Sequence, residues 1–233
     1  MHGLVDAPFR VEPVLLDIEE LNRRAQTGEL DLTKLSFGAF AGAGDRYRLL
    51  RSGAALGHGV GPLVVAREPR NLADARVAIP GYETTAFLLF RLAYPEHGDE
   101  IELRYDRILG AVEAGEADAG LIIHESRFTY ADHGLVRIAD LGEWWEGETG
   151  LPVPLAGICA RAGLEEAAAA EAAIRASVEH AFAHPEASRA YVRAHSQELS
   201  DEVCDQHIAL YVNEFSVDLG EEGLVAVERL LAA

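Results

Sequence analysis

Hydrophobic residues occur along this chain in short apolar runs that alternate with amphipathic stretches. The apolar runs predict strands at 11–16, 30–36, 62–66, 76–79, 100–105, 119–123, 135–138 and 155–159. Helical periodicity predicts helices at 38–50, 84–93, 108–114, 165–183, 186–193, 201–212 and 221–232. Asp17, followed three residues later by Glu20, predicts the start of a further helix through a capping box.

This alternation of strands and helices indicates an α/β protein with mostly parallel sheets that are buried on both faces. Two apolar strands, 62–66 and 155–159, flank the middle third of the chain. A chain that leaves one sheet, builds a second and returns would cross at these points. We therefore predict two lobes with a cleft between them, the first formed by residues 1–70 and 155–233 and the second by 71–154.

Composition and charge exclude several classes of partner. The chain has 20 basic and 39 acidic residues, a net charge of −19, so nucleic acid and anionic membranes are poor partners. The longest charge-free stretch, 52–66, is short and carries four glycines, which is unlike a membrane span. Two distant cysteines, Cys159 and Cys204, and the lack of a signal peptide favour a cytoplasmic protein with reduced thiols.

Polar residues stand where three predicted strands end, the usual ligand-binding position in open α/β sheets. His124 ends strand 119–123, and its ordinary pKa of about 6.5 suits proton transfer, although a histidine that merely caps the strand is the simpler alternative. Lys34, the single lysine, and Ser36 end strand 30–36. Together they would suit a substrate carboxylate, but an exposed lysine and a helix-capping serine explain them too.

Thr84 and Thr85 stand at the start of helix 84–93, where hydroxyls and free backbone N–H groups could hold an oxyanion. Simple N-capping explains either threonine equally well. His180 and His184 have a metal-chelating spacing, but no third ligand is evident and we expect no metal. Trp144 and Trp145 are interpreted as core or interdomain residues. Phosphate-loop, dinucleotide-binding and serine-elbow patterns are absent from the sequence.

Six segments taken in order resemble one family: 31–37, 49–53, 59–67, 104–108, 121–130 and 140–145. The family is the 1,4-dihydroxy-6-naphthoate synthase of the futalosine route to menaquinone. The resemblance covers nearly the whole chain, and its most specific part is the heptapeptide from His124 to Tyr130, His-Glu-Ser-Arg-Phe-Thr-Tyr. It implies a two-lobed fold like that of type II periplasmic solute-binding proteins. It also implies a lyase that acts on cyclic dehypoxanthinyl futalosine without a metal or organic cofactor.

The resemblance also assigns site residues. It implies that His124 is the base, and that a small anionic substrate contacts two groups of residues: Lys34, Leu35 and Ser36 in one segment, and Thr84 and Thr85 in the other. One departure concerns the start of the chain. Family members begin with a strand and a Ser-Pro-Cys-Pro-Asn-Asp-Thr-Phe loop before the helix that ends at His2 and Gly3. Neither occurs here, so we expect the first lobe to lack a central strand and part of the pocket.

Two alternatives share this fold: a solute-binding module without catalysis, and a sibling lyase that dehydrates chorismate. The His-Glu-Ser-Arg and Trp-Trp segments favour the synthase.

Overall fold

A computed structural model describes residues 5–195 and 200–233 of the chain; the expected helix end at His2 and Gly3 lies outside these ranges. The strands are β1 (Leu32–Ser36), β2 (Tyr47–Leu49), β3 (Ala55–Gly57), β4 (Leu63–Ala66), β5 (Val77–Ile79), β6 (Glu100–Glu102), β7 (Ala119–Ile122), β8 (Val136–Asp140) and β9 (Val153–Arg161). The helices are α1 (Ile18–Ala25), α2 (Phe37–Ala43), α3 (Thr85–Ala93), α4 (Tyr105–Ala114), α5 (Ser126–Thr129), α6 (Leu141–Thr149), α7 (Ala167–Ala183), α8 (Glu186–His195), α9 (Asp201–Tyr211), α10 (Glu214–Val217) and α11 (Gly220–Leu231).

The strands form two sheets, which confirms the predicted α/β class. In the first sheet, β9 pairs with β1, β2 and β3, and the second sheet has the order β6-β5-β7-β4-β8. The chain leaves the first sheet after β3, enters the second at β4 and returns through β9. Strand β4 therefore belongs to the second sheet, although the division at residue 70 assigned it to the first lobe. By sheet membership, the first crossing lies between Gly57 and Leu63.

The expectation of mostly parallel sheets is wrong for the described strands. Strand β5 runs parallel to β6 and β7, but β9 is antiparallel to its three partners and β4 is antiparallel to β7 and β8. Each crossing strand arrives from the other lobe and so runs against its new neighbours. All four residues of β4 are buried. Burial on both faces gives the same unbroken apolar run in either direction, so the pattern could not reveal the direction.

Two further elements differ from prediction. Residues 11–16 form no strand; four of their apolar side chains are exposed, and no strand of the described chain pairs with them. The predicted helix 38–50 ends instead at Ala43, because Gly44 adopts a φ of +59° and a 3-10 turn leads into β2. Tyr47 of β2 is buried and donates a hydrogen bond from its hydroxyl to the Leu30 carbonyl at 2.6 Å.

The two lobes share one continuous hydrophobic core. Phe37 and Leu56 of the first lobe lie in the same cluster as Val64 and Phe90 of the second. Trp145 of α6 is 2% exposed and donates from Nε1 to the Pro152 carbonyl at 3.1 Å, which confirms its core assignment. None of the helices in the described ranges is long and apolar enough to cross a bilayer.

Candidate active site

Strand β1 delivers Lys34 and Ser36 to the same side of the first sheet, because alternate strand residues point the same way. Lys34 is exposed to solvent and Ser36 is 3% exposed. Leu35 points the opposite way, is fully buried and packs in a core cluster with Tyr47 and Cys159. Leu35 can therefore contact a ligand only through its backbone.

Asn22, which sequence reasoning missed, holds the end of β1. It is fully buried, donates from Nδ2 to Ser36 Oγ at 3.1 Å and accepts the Ser36 N–H at 3.0 Å. A further bond of 3.4 Å from Asn22 reaches the Glu83 carbonyl, just before the threonine pair. The available signal was the spacing of Glu19, Asn22 and Ala25, which are the three buried residues of α1. A polar residue on the buried face of an amphipathic helix needs a partner.

The two threonines lie beside the start of α2. Thr84 caps α3 by accepting the Phe87 N–H at 3.2 Å, and its hydroxyl donates to the Gly81 carbonyl at 2.8 Å. Thr85 donates to the Leu155 carbonyl at 2.5 Å and accepts the Gly38 N–H at 3.1 Å. Because both hydroxyl protons are engaged, the pair can offer a ligand its oxygen lone pairs and the first N–H groups of α3.

His124 follows the end of β7, as predicted, and adopts an unusual backbone conformation. Its φ of +56° makes it the one non-glycine residue with positive φ in the described ranges. This left-handed conformation is uncommon for a residue with a Cβ, and such strained residues cluster at functional sites. The imidazole lies edge-on to the ring of Tyr105, with centroids 4.9 Å apart.

A second histidine, His207 of α9, faces His124 across the cleft, and sequence reasoning missed it. The two ring centroids are 6.1 Å apart and the rings are nearly perpendicular. Tyr211, one helical turn further on, lies edge-on to His207 at 4.7 Å. A lone histidine in a polar helix gives no pattern from which this placement could be predicted.

The electrostatics of the cleft keep both imidazoles neutral. Desolvation, then the charge of Lys34 and the neighbouring His207, lower the pKa of His124 to about 3. Desolvation and Lys34 lower the pKa of His207 to about 4. The pKa of Lys34 is itself lowered by desolvation, because protein surrounds the amine although solvent reaches it. At neutral pH each imidazole therefore has a free lone pair that can accept a proton.

The two flanking tyrosines remain protonated. Burial, followed by the negative charge of Glu125, raises the pKa of Tyr105 to about 12. The pKa of Tyr211 is also raised to about 12, mainly by burial. Both phenols can therefore donate hydrogen bonds at any physiological pH.

Arg127, three residues after His124, ties the histidine segment to the crossing between the lobes. Its guanidinium donates to the carbonyls of Gly61 at 2.9 Å and Gly59 at 3.3 Å, and to the Asp140 carboxylate at 2.6 Å. The side chain of Asp140 is 1% exposed and also accepts the N–H groups that begin α6. His124 is therefore held at a junction of the two lobes.

The remaining histidine pair lies at the C-terminal end of α7, with His180 inside the helix and His184 directly after it, and the two ring centroids are 4.6 Å apart. Among residues 5–195 and 200–233, no group of three or more histidines, cysteines or acidic residues could hold a metal ion.

Comparisons with known proteins identify the family of this chain. The family model described as menaquinone biosynthesis matches residues 1–233. A Thermus thermophilus protein named 1,4-dihydroxy-6-naphtoate synthase is 57% identical over all of this chain and 86% of its own length. A Streptomyces coelicolor protein of the same name is 45% identical over 99% of this chain and 84% of its own length.

Solved structures show the same architecture. A crystal structure of an Archaeoglobus fulgidus protein superposes with a TM-score of 0.94 at 39% identity, covering 99% of this chain and 88% of that one. A Candida albicans protein with the generic periplasmic-binding-protein fold superposes with a TM-score of 0.61 at 10% identity, over 91% of this chain and 76% of its own. At that identity the likeness shows the fold alone. The family match and the two full-length relatives show that this chain belongs to the 1,4-dihydroxy-6-naphthoate synthase family of menaquinone-biosynthesis enzymes.

Proposed function

We propose that this chain is the lyase that converts cyclic dehypoxanthinyl futalosine to 1,4-dihydroxy-6-naphthoate, with His124 as the general base. The observation that carries the proposal is a neutral, backbone-strained histidine in the same cleft as the chain's single lysine. Lys34 would bind the substrate carboxylate. His124 would then take the proton whose removal lets the cyclic substrate fragment and the new ring aromatise.

Because Lys34 is charged, the basicity of His124 should depend on whether the substrate is bound. Desolvation and the ammonium group of Lys34 both disfavour an imidazolium, so His124 is unprotonated but a weak base. A carboxylate bound at Lys34 would cancel part of that repulsion and raise the pKa of His124. The base would then strengthen when substrate is present, and a base whose pKa approaches the working pH is the more effective one.

Ser36 and the threonine pair would complete the binding site. Their hydroxyl oxygens are fixed by Asn22, Gly81 and Leu155, so they would receive the substrate without reordering. A preorganised site avoids the entropy cost of fixing side chains on binding.

Turnover of cyclic dehypoxanthinyl futalosine, followed by chromatography of the product, tests this proposal. The parent chain should form the naphthoate. His124→Gln should lose roughly 10²-fold or more in kcat, because a positioned base contributes about that much. His184→Gln, a substitution on the exposed end of α7, should match the parent.

The rival functions give different results. A solute-binding module would bind the compound without product, and His124→Gln would alter only its affinity. A chorismate dehydratase would consume chorismate and leave the cyclic substrate intact. Equal turnover by the parent and His124→Gln would remove His124 from the role of base.

A further inference from the structure

Four aromatic rings form a row across the cleft, with two imidazoles in the middle. Tyr105 contacts His124 at 4.9 Å between centroids, His124 faces His207 at 6.1 Å, and His207 contacts Tyr211 at 4.7 Å. The row is built from three separate parts of the chain: α4, the turn after β7, and α9. It therefore joins the second lobe to the C-terminal helices.

The separation of the two imidazoles suits a shared third group. Centroids 6.1 Å apart are too far for a direct hydrogen bond between the rings, since each ring extends only about 1 Å from its centre and a hydrogen bond needs about 3 Å. One water molecule or one substrate hydroxyl, placed at the side of the pair, would join a nitrogen of one ring to a nitrogen of the other through two hydrogen bonds of about 3 Å.

The position of His207 is fixed from outside the cleft. Immediately after α9, Asn213 donates from Nδ2 to the Leu56 carbonyl of β3 at 2.9 Å. Asn213 also caps α10 through a bond of 3.0 Å from the Phe215 N–H. The C-terminal end of α9 is thereby attached to the first sheet, so His207 is held opposite His124.

We propose that His207 is a second catalytic residue of the cleft, which exchanges a proton with the substrate opposite His124. This inference rests on the proposed lyase function. His124 removes the proton of a substrate hydroxyl and becomes an imidazolium, and the electron pair left on that oxygen forms a carbon–oxygen double bond as the adjacent carbon–carbon bond breaks. The electron pair of the broken carbon–carbon bond moves onto a substrate carbonyl oxygen, which becomes an oxyanion. The proton crosses the water or hydroxyl between the rings to His207, which delivers it to the oxyanion.

The protons balance in this scheme. One proton leaves one substrate atom and returns to another, and both imidazoles end neutral. The ammonium of Lys34 acts against a lasting positive charge on either ring, so the proton is passed on rather than held. Among the described residues, the other ionisable groups that act on the row are its own Tyr105 and Tyr211 together with Asp17, Arg104, Asp106, Glu125, Arg127 and Asp140.

Three variants of the full chain test the inference: His207→Gln, His207→Ala and the control His184→Gln. Glutamine keeps a polar side chain of similar length but cannot carry a proton. We expect His207→Gln to lower kcat by roughly 10²-fold with KM changed less than about threefold. Free imidazole added to His207→Ala should restore part of kcat, which it would not do for a purely structural residue. The control should behave like the parent.

The outcomes separate the two proposals. If the parent turns over and His207→Gln keeps kcat within about threefold, the inference is overturned and the lyase function stands. If His207→Gln restores what His207→Ala loses, His207 only fills space, and the inference is likewise overturned. A parent without turnover overturns the proposed function, and this inference with it.

Discussion

The guanidinium of Arg127 and the carboxylate of Asp140, 2.6 Å apart, join the histidine segment, the start of α6 and the crossing between the lobes. The side chain of Asp140 is 1% exposed and the side chain of Arg127 is 16% exposed, so this ion pair is largely withdrawn from water. Removing one partner of such a pair leaves the other charge buried without its ionic partner, which strongly destabilises the folded state.

Arg127→Met should therefore destabilise the chain by about 3 kcal/mol. The loss includes the bonds to the Gly59 and Gly61 carbonyls. Arg137→Met is the matched control, because Arg137 lies 3.6 Å from the same carboxylate but is 46% exposed. That substitution should cost less than about 1 kcal/mol. Urea unfolding measures both, and equal costs would contradict a structural role for the Arg127 pair.

Two glycines of α6 should respond in opposite ways to alanine. A Cβ on Gly142 would lie 1.9 Å from the Val60 carbonyl oxygen, so the crossing segment could not pack against the helix. A Cβ on Gly147 would meet no atom within 4 Å. Gly142→Ala should cost roughly 2 kcal/mol or more through overpacking, and Gly147→Ala should gain about 0.5–1 kcal/mol in the helix.

Thermal unfolding of both variants is the measurement. A stable Gly142→Ala chain would mean that the crossing segment is not held against α6 as described.

The sequence predicted much of this fold because local signals and burial agreed. Short-range sequence patterns predict three of its features: the cap at Thr84, the buried strand β4 and the strand that ends before His124. Strand direction did not, because a run buried on both faces reads the same either way. The strand predicted at 11–16 failed because β-propensity gives no sheet without a neighbour to pair with.

Only those candidate site residues that a local sequence pattern indicates could be predicted. Lys34, Ser36 and His124 each end a strand, a position that sequence can indicate. His207 and Asn22 reach the site through tertiary packing from helices distant in sequence. Arg51 gives a further example: its bond to Asp218 at 3.1 Å spans 167 residues, and no local pattern foretells it. Such pairings form because the chain leaves the first lobe and later returns to it, and neighbouring residues do not determine them.

The Thr84 hydroxyl should contribute to the stability of the fold as well as to the binding site. Thr84→Ser keeps both the cap on Phe87 and the bond to the Gly81 carbonyl, whereas Thr84→Val loses both. We expect Thr84→Val to cost about 1–2 kcal/mol in urea unfolding and Thr84→Ser to cost much less. We also expect Thr84→Ser to turn over substrate at close to the rate of the parent, because the hydroxyl oxygen stays in place. A large loss of stability in Thr84→Ser would contradict the cap.

The pH dependence of stability follows from the same histidines. Both have folded pKa values, about 3 and about 4, below the unfolded value near 6.5. Between these values the unfolded chain binds more protons, so the free energy of unfolding falls as pH decreases below about 6.5. The double variant His124→Gln with His207→Gln should lose less stability than the parent between about pH 7 and about pH 5, as measured by urea midpoints. Equal losses would mean that the histidines already titrate normally in the folded chain.

The pH dependence of catalysis should reveal the charge of Lys34. Because kcat/KM reports the free enzyme, its acid limb should lie well below about pH 5 in the parent, where His124 is still neutral. Lys34→Met removes the nearby positive charge and should move that limb toward higher pH, while raising KM through the lost carboxylate contact. Arg48→Met, which removes an exposed cation from β2, should leave the limb where it is. An acid limb near pH 6.5 in the parent, or one that does not move in Lys34→Met, would contradict the coupling of this lysine to the base.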